Sequence, residues 1–283
     1  MDDAADPGSG PRWEGEGKVV LPDQVAPPPP GRLRRAGKRA LRLAVDRGLI
    51  GERLRAHVVV CGFPRSGSTL LQQMVLAGVR GVDAWTTEVE ARWAAEHANR
   101  RRPWLLTKRP EDVDHVDDVR DWYVANPGRA LVLLTTRDAR DVLTSRHAGY
   151  PPERGYYCST RRWSQTDARV RSLRRDDDVH EVRYEHLVDD PDAVGERLAD
   201  AVGWDVVVPF GRWHEAAQES SLDRMTRGAL GGVRPVERSR VQRWRAPEHT
   251  ARLRHVLAEL PQLPRRLVEE GHEPDESWAD AYR

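Results

Sequence analysis

Three things are scarce in this sequence: lysine, cysteine and long apolar runs. Only three of its 46 lysines and arginines are lysine (Lys18, Lys38 and Lys108), and just one lies beyond the N-terminal quarter. Acids balance the arginines to a net charge of +1, so no global field draws the chain to nucleic acid or to a membrane surface. The two cysteines, Cys61 and Cys158, fit no metal-ligand spacing and no disulfide framework, which points to a reducing, cytoplasmic setting. No apolar stretch nears the ~20 residues of a membrane span. The start, Met1-Asp2-Asp3, is acidic and lacks the apolar core of a signal peptide. A chain of 283 residues suffices for one large α/β domain or two small ones.

What is present is organised around Gly62-Phe63-Pro64-Arg65-Ser66-Gly67-Ser68-Thr69. The β-branched run His57–Cys61 precedes it and the helical pattern Leu70–Leu76 follows, reading as strand, phosphate loop and helix. In such a turn successive N–H groups point inward and the helix N-terminus favours an oxyanion. The spacing nearly matches the nucleotide-triphosphatase loop G-x-x-x-x-G-K-[ST], but Ser68 stands where that loop carries lysine. Without the group that touches the β/γ-phosphates, a kinase or ATPase is disfavoured. Arg65 supplies a cation earlier in the turn.

Around this loop the chain divides into a Pro/Gly-rich leader (1–31), a basic helical arm (32–55) and a main domain (56–283). The arm is expected to pack on the domain rather than to meet an anionic surface. Within the domain, strands at 104–107, 130–136 and 179–184 alternate with helices at 111–124, after Asp138, at 160–174, after Asp190-Pro191 and, last, at 248–260. That alternation predicts an α/β, P-loop-like three-layer domain with a central parallel sheet flanked by helices. Ligands of such sheets bind at the carboxyl ends of the strands, where Arg65, Lys108, Arg137 and Tyr184 fall. Arg137, ending a strand, and Ser145, two turns into the next helix, form a second candidate anion pocket. Two such pockets on one rim suit a nucleotide phosphorylated at two positions.

These segments resemble the sulfotransferases that use 3′-phosphoadenosine 5′-phosphosulfate (PAPS). Phe63–Leu70 is similar to their 5′-phosphosulfate loop, and Arg137 to Ser145 to their 3′-phosphate motif. Arg183-Tyr184-Glu185-His186-Leu187 resembles the segment whose tyrosine lies by the adenine, and Ser239–Arg245 the late basic loop over the cofactor. Arg65 and Leu70, in place of the Lys and Trp of the cytosolic small-molecule enzymes, look more like the tyrosylprotein, carbohydrate and bacterial branches. The resemblance implies that Arg65 and the N–H groups of Ser66, Gly67, Ser68 and Thr69 hold the 5′ end. It further implies that Arg137 and Ser145 grip the 3′-phosphate, Tyr184 lies beside adenine and Arg243 closes the pocket.

Sulfuryl transfer needs a donor for the leaving oxygen and a base for the acceptor. Lys108, the domain's only lysine, resembles the family's Lys-x-Pro stretch and is the candidate donor. Glu88 is the candidate base, with Glu90 as its rival. The expected function is sulfuryl transfer from PAPS, with 3′-phosphoadenosine 5′-phosphate (PAP) as product, to a hydroxyl or, less readily, an amine. The acceptor would be a small molecule, carbohydrate or natural product, and neither a metal nor a nucleic-acid partner is expected. Trp85, Trp93, Tyr150, Tyr156, Tyr157 and Trp163 either line an acceptor pocket, with Pro151-Pro152 in a lid-like loop, or belong to the core. A P-loop phosphotransferase and a non-catalytic nucleotide-binding protein are the alternatives.

Overall fold

The computed structural model describes residues 32–85, 87–98, 100–146, 155–217, 222 and 224–283. The leader, Tyr150 and Pro151-Pro152 lie outside them. Five strands, β1 (Ala56–Gly62), β2 (Val82–Ala84), β3 (Trp104–Lys108), β4 (Ala130–Thr136) and β5 (Val179–Arg183), form one sheet in the order β2-β3-β1-β4-β5. Every pairing is parallel. The helices are α1 (Arg32–Asp46), α2 (Ser68–Gly78), α3 (Ala91–His97), α4 (Val116–Ala125), α5 (Ala139–Leu143), α6 (Thr160–Leu173), α7 (Tyr184–Asp189) and α8 (Pro191–Val202). The short α9 (Trp213–Ala216) and α10 (Arg224–Leu230) lead to α11 (Thr250–Glu259) and α12 (Leu263–Glu269).

All residues of β1 and β4 are buried, because both faces of these strands are covered. Alternation sends Val58, Val60, Leu131 and Leu133 to one face, against Leu71, Met74 and Val75 of α2 and Val194, Leu198 and Val202 of α8. Val59, Cys61, Val132 and Leu134 point the other way, against Val119 of α4, Val170 and Leu173 of α6, and the C-terminal Val256, Leu263 and Leu267. Both cysteines are buried free thiols. Burial pushes the Cys61 thiol up, out of the reactive range.

The chain leaves β1 through α2 on one face and β4 through α5 and α6 on the other, so the two exits part between neighbouring strands. This is where parallel sheets open a crevice. Read across the carboxyl rim in strand order, the chain presents Lys108, the loop after β1, Arg137 and Tyr184.

Several boundaries differ from the sequence expectation. Tyr184 does not finish β5 but opens α7. The stretch 111–124 begins as a 3-10 turn (Pro110–His115) before α4. The edge strand β2 has no apolar run and is only half-buried, so its pattern is silent. The helix expected to be the last is followed by α12 and a 3-10 segment, Glu276–Tyr282.

Residues of α1 contact the rest of the chain. Arg100 donates from Nε to Asp46 (2.7 Å) and from Nη2 to the Val45 carbonyl (2.9 Å). Arg42 lies over Trp122, 5.0 Å from the ring centre, rather than in solvent. No described helix is long and apolar enough to cross a membrane.

Candidate active site

The loop after β1 is held from below. The Ser66 hydroxyl donates to the Phe63 carbonyl (2.5 Å) and to Thr135 Oγ1 (2.7 Å), while Thr135 Oγ1 donates to the Cys61 carbonyl (3.0 Å). The side chain of Ser66 therefore braces the turn and leaves its backbone for other partners. Gly62 has φ 131°, and a Cβ there would stand 2.3 Å from the Thr135 carbonyl oxygen. Gly67 has φ 86°, and its missing Cβ would strike the Tyr184 ring at 2.5 Å. The turn thus needs glycine at both ends. Arg65 takes a positive φ of 64° between them. The first-turn N–H groups of α2, at Ser68 and Thr69, have no acceptor within the helix by position.

Lys108 stands beside this loop, at the end of β3, with its side chain 5% exposed. Its Nζ donates to Glu88 Oε1 (2.9 Å) and to Thr69 Oγ1 (3.3 Å). The two residues singled out for catalysis therefore meet, and they meet at the phosphate loop. Glu90 turns instead to Arg109, 3.6 Å away, so of the two glutamates only Glu88 faces the lysine. Its side chain is half exposed, which leaves it open to an incoming molecule. The segment is anchored by Asp112, whose Oδ2 accepts the Ala91 N–H (2.9 Å) at the start of α3. Burial pushes the Asp112 carboxyl up to about 6.

On the other side of the loop, Arg137 donates from Nη1 to the Arg65 carbonyl (2.9 Å) and from Nη2 to the Arg240 carbonyl. It pairs with Asp141 at 3.2 Å and lies 4.3 Å over the Tyr184 ring. Tyr184 is buried between Gly67 and this guanidinium. Burial pushes its hydroxyl up. Ser145 does not lie two turns into a helix but two residues past the five-residue α5; it is half-buried and its hydroxyl donates back to the Asp141 carbonyl (2.7 Å) of that helix. Asp141, fully buried, takes the Gln242 N–H (2.9 Å) and the Trp244 N–H (3.0 Å), tying the late basic loop to α5. Arg243 is exposed on that loop. With Arg146 it adds to the burial that lowers His249.

Sequence reasoning missed Asp141 and Arg240. Both lie inside segments already singled out, but the bonds that give them a role join positions about a hundred residues apart. No local pattern encodes those bonds.

The electrostatics of the cradle are lopsided. Burial lowers the Arg65 guanidinium, and Arg240 and Arg137 beside it lower it further. Arg240 is lowered chiefly by burial, with Arg234, Arg137 and Arg243 adding to it. The Nε atoms of Arg65 and Arg137 are buried without a hydrogen-bond partner. Crowded cations with unused donors fit a polyanionic ligand.

Residues 80–207 match the model of the sulfotransferase family. The match begins after the phosphate loop and ends before the late basic loop. Similar solved structures include the sulfotransferase domain of the Synechococcus PCC 7002 olefin synthase (17% identity over 70% of this chain and 89% of that one, TM-score 0.48). The sulfotransferase domain from the curacin biosynthetic pathway is 14% identical over 74% of this chain and 99% of that one, with a TM-score of 0.46. Mouse sulfotransferase SULT7A1, solved with PAP, is 12% identical over 79% of this chain and 91% of that one, with a TM-score of 0.45. No curated protein matches the chain significantly.

The aromatic residues noted in the sequence fall in different surroundings. Trp163 is core: it is buried and stacks on Phe63, with ring centres 5.9 Å apart. Trp85 and Trp93 line a cavity of about 360 Å³ at the β2 edge, with His97 stacked 4.8 Å from Trp93. Tyr156 reaches His249 Nδ1 at 3.3 Å. Tyr157 packs partly buried against the core and its N–H donates to the Ser145 carbonyl (2.8 Å); burial pushes its hydroxyl up, and the carboxylates of Glu111 and Glu88 add to that.

Proposed function

We propose that the chain is a sulfotransferase that moves the sulfuryl group of PAPS to a hydroxyl, or less readily an amine, of a small-molecule, carbohydrate or natural-product acceptor. The observation that carries the reading is the Lys108–Glu88 pair at the phosphate loop, on the same rim as the Arg65–Arg137–Arg240 cluster. PAPS supplies an activated sulfuryl group on a phosphate leaving group.

The N–H groups of Ser66, Gly67, Ser68 and Thr69, with Arg65, hold the 5′ end. Arg137 and Ser145 hold the 3′-phosphate, Tyr184 neighbours the adenine, and Arg243 with Arg240 covers the late-loop side. Lys108, a compact three-donor ammonium, faces the position where charge builds on the leaving oxygen. Glu88 takes the acceptor's proton, its carboxylate oriented by the same ammonium and reachable from solvent. Tyr157 and the Trp85–Trp93 wall are candidates for the acceptor side. Unused buried Nε donors on two arginines support a ligand with anionic groups at both ends.

Calorimetric titration with PAP and, separately, with ATP–Mg²⁺ tests the reading. Tight PAP binding with weak or absent ATP binding, together with release of PAP from PAPS, is the expected result. ATP turnover without PAP binding would establish a phosphotransferase instead. PAP binding with no turnover of PAPS across phenol, sugar and amine acceptors would leave a non-catalytic nucleotide-binding protein.

A further inference from the structure

The C-terminal segment lies beyond every motif of the sequence and beyond the family match, yet it reaches the root of the second anion pocket. The link is Arg140, whose side chain is 1% exposed. Its Nε and Nη2 donate to the two oxygens of Asp138 (3.0 and 2.7 Å), and its Nη1 donates to Glu273 Oε1 (2.5 Å). The same guanidinium carbon lies over the rings of both Trp244 (3.8 Å) and Trp278 (4.4 Å). A guanidinium so enclosed has no water to fall back on, so its protein partners determine where it sits.

Asp138 in turn caps α5, accepting the Arg140 N–H (2.8 Å), and gives its own N–H to Glu185 Oε1 (2.9 Å), next to Tyr184. It is also the residue that follows Arg137, so its position governs the angle at which the Arg137 side chain leaves β4. A second strut runs from Arg183, whose Nη2 donates to the Glu270 carbonyl (2.7 Å) and meets His272 at 3.1 Å. The segment therefore grips the exits of both β4 and β5, and through Trp244 it also touches the late loop that Asp141 anchors.

We propose that the segment from Glu270 to Tyr282 is a positioning element of the Arg137–Ser145 pocket. Glu273 and Trp278 act through Arg140 and Asp138 to hold Arg137 where it distinguishes a 3′-phosphorylated nucleotide from an unphosphorylated one. The inference rests on the nucleotide reading above and adds residues to it. None of these positioning residues touches the nucleotide.

The test uses the full chain and the ratio of dissociation constants for AMP and PAP, measured by calorimetry. Glu273→Gln leaves Arg140 without one of its two anions, and the AMP/PAP ratio is expected to fall about five- to tenfold, with AMP affinity itself nearly unchanged. Trp278→Leu is expected to lower the ratio likewise, whereas Trp278→Phe, which keeps an aromatic face, retains most of it. The two tryptophan variants carry the test if Glu273→Gln does not fold. A ratio that stays at the wild-type value in Glu273→Gln and Trp278→Leu, even with a lower melting temperature, overturns the inference and leaves the nucleotide reading standing. A wild-type ratio near one overturns both.

Discussion

Replacing Lys108 with methionine separates the charge of this residue from its volume. The side chain is 5% exposed, and an unbranched apolar stem of similar length fills the same slot, a change that costs under about 1.5 kcal/mol. The broken ion pair adds little. Its partner Glu88 is 51% exposed and returns to water, so about 0–1 kcal/mol is lost. Folding is therefore expected to change by only a few degrees in melting temperature.

Catalysis answers differently. A preorganised donor at the site of developing charge is worth about 3–4 kcal/mol to the transition state alone, or about 100- to 1000-fold in kcat. PAP affinity is expected to stay within about threefold, because the ammonium serves charge that appears only during transfer. Thermal melting by circular dichroism, calorimetry with PAP and chromatographic release of PAP from PAPS read the three quantities in parallel. Normal turnover in this variant, or a hundredfold loss of PAP affinity with kcat intact, would refute the assignment.

Three further outcomes are expected. Arg137→Ala removes a charge-assisted donor and should weaken PAP by about 10- to 100-fold while AMP changes little; an equal loss for both nucleotides means the 3′-phosphate is held elsewhere. Ser66→Ala strands the buried Phe63 carbonyl and removes the bond to the Thr135 hydroxyl, which keeps the Cys61 carbonyl, costing about 1–3 kcal/mol, and an unchanged melting temperature would contradict the brace. Asp112 is raised by burial from 3.8 to about 6, so between those values the folded state keeps a proton that the unfolded chain releases. Stability from this group is accordingly full below pH 3.8 and lost as pH rises through about 6. Asp112→Asn still offers an oxygen to the Ala91 N–H. It should gain on the wild type by up to about 3 kcal/mol between pH 4 and 7, and a difference in melting temperature that does not vary with pH would refute this.

Much of this architecture was legible in the linear chain. The runs at 57–61, 104–107 and 130–136 are apolar on both alternations, and only strands covered on two sides take that pattern. The phosphate loop declared itself through Gly62 and Gly67, whose backbone angles and close neighbours admit no side chain. The strand β2 stayed hidden because it is a three-residue, half-buried edge. The tail from 270 to 282 was equally silent, since its value lies in partners about 130 residues earlier in the chain.

The choice between Glu88 and Glu90 shows where local information ends. Both are half-exposed glutamates two residues apart, and only the rim decides that one meets Lys108 and the other Arg109. The sequence by itself determined the four longer strands and the residues near their carboxyl ends, because burial periodicity and glycine sterics are local properties. Which of those ends become neighbours, and which arginine carries a carbonyl, a carboxylate or an unused donor, was decided by tertiary structure. Strand order and long-range hydrogen bonds join residues that no window of sequence contains.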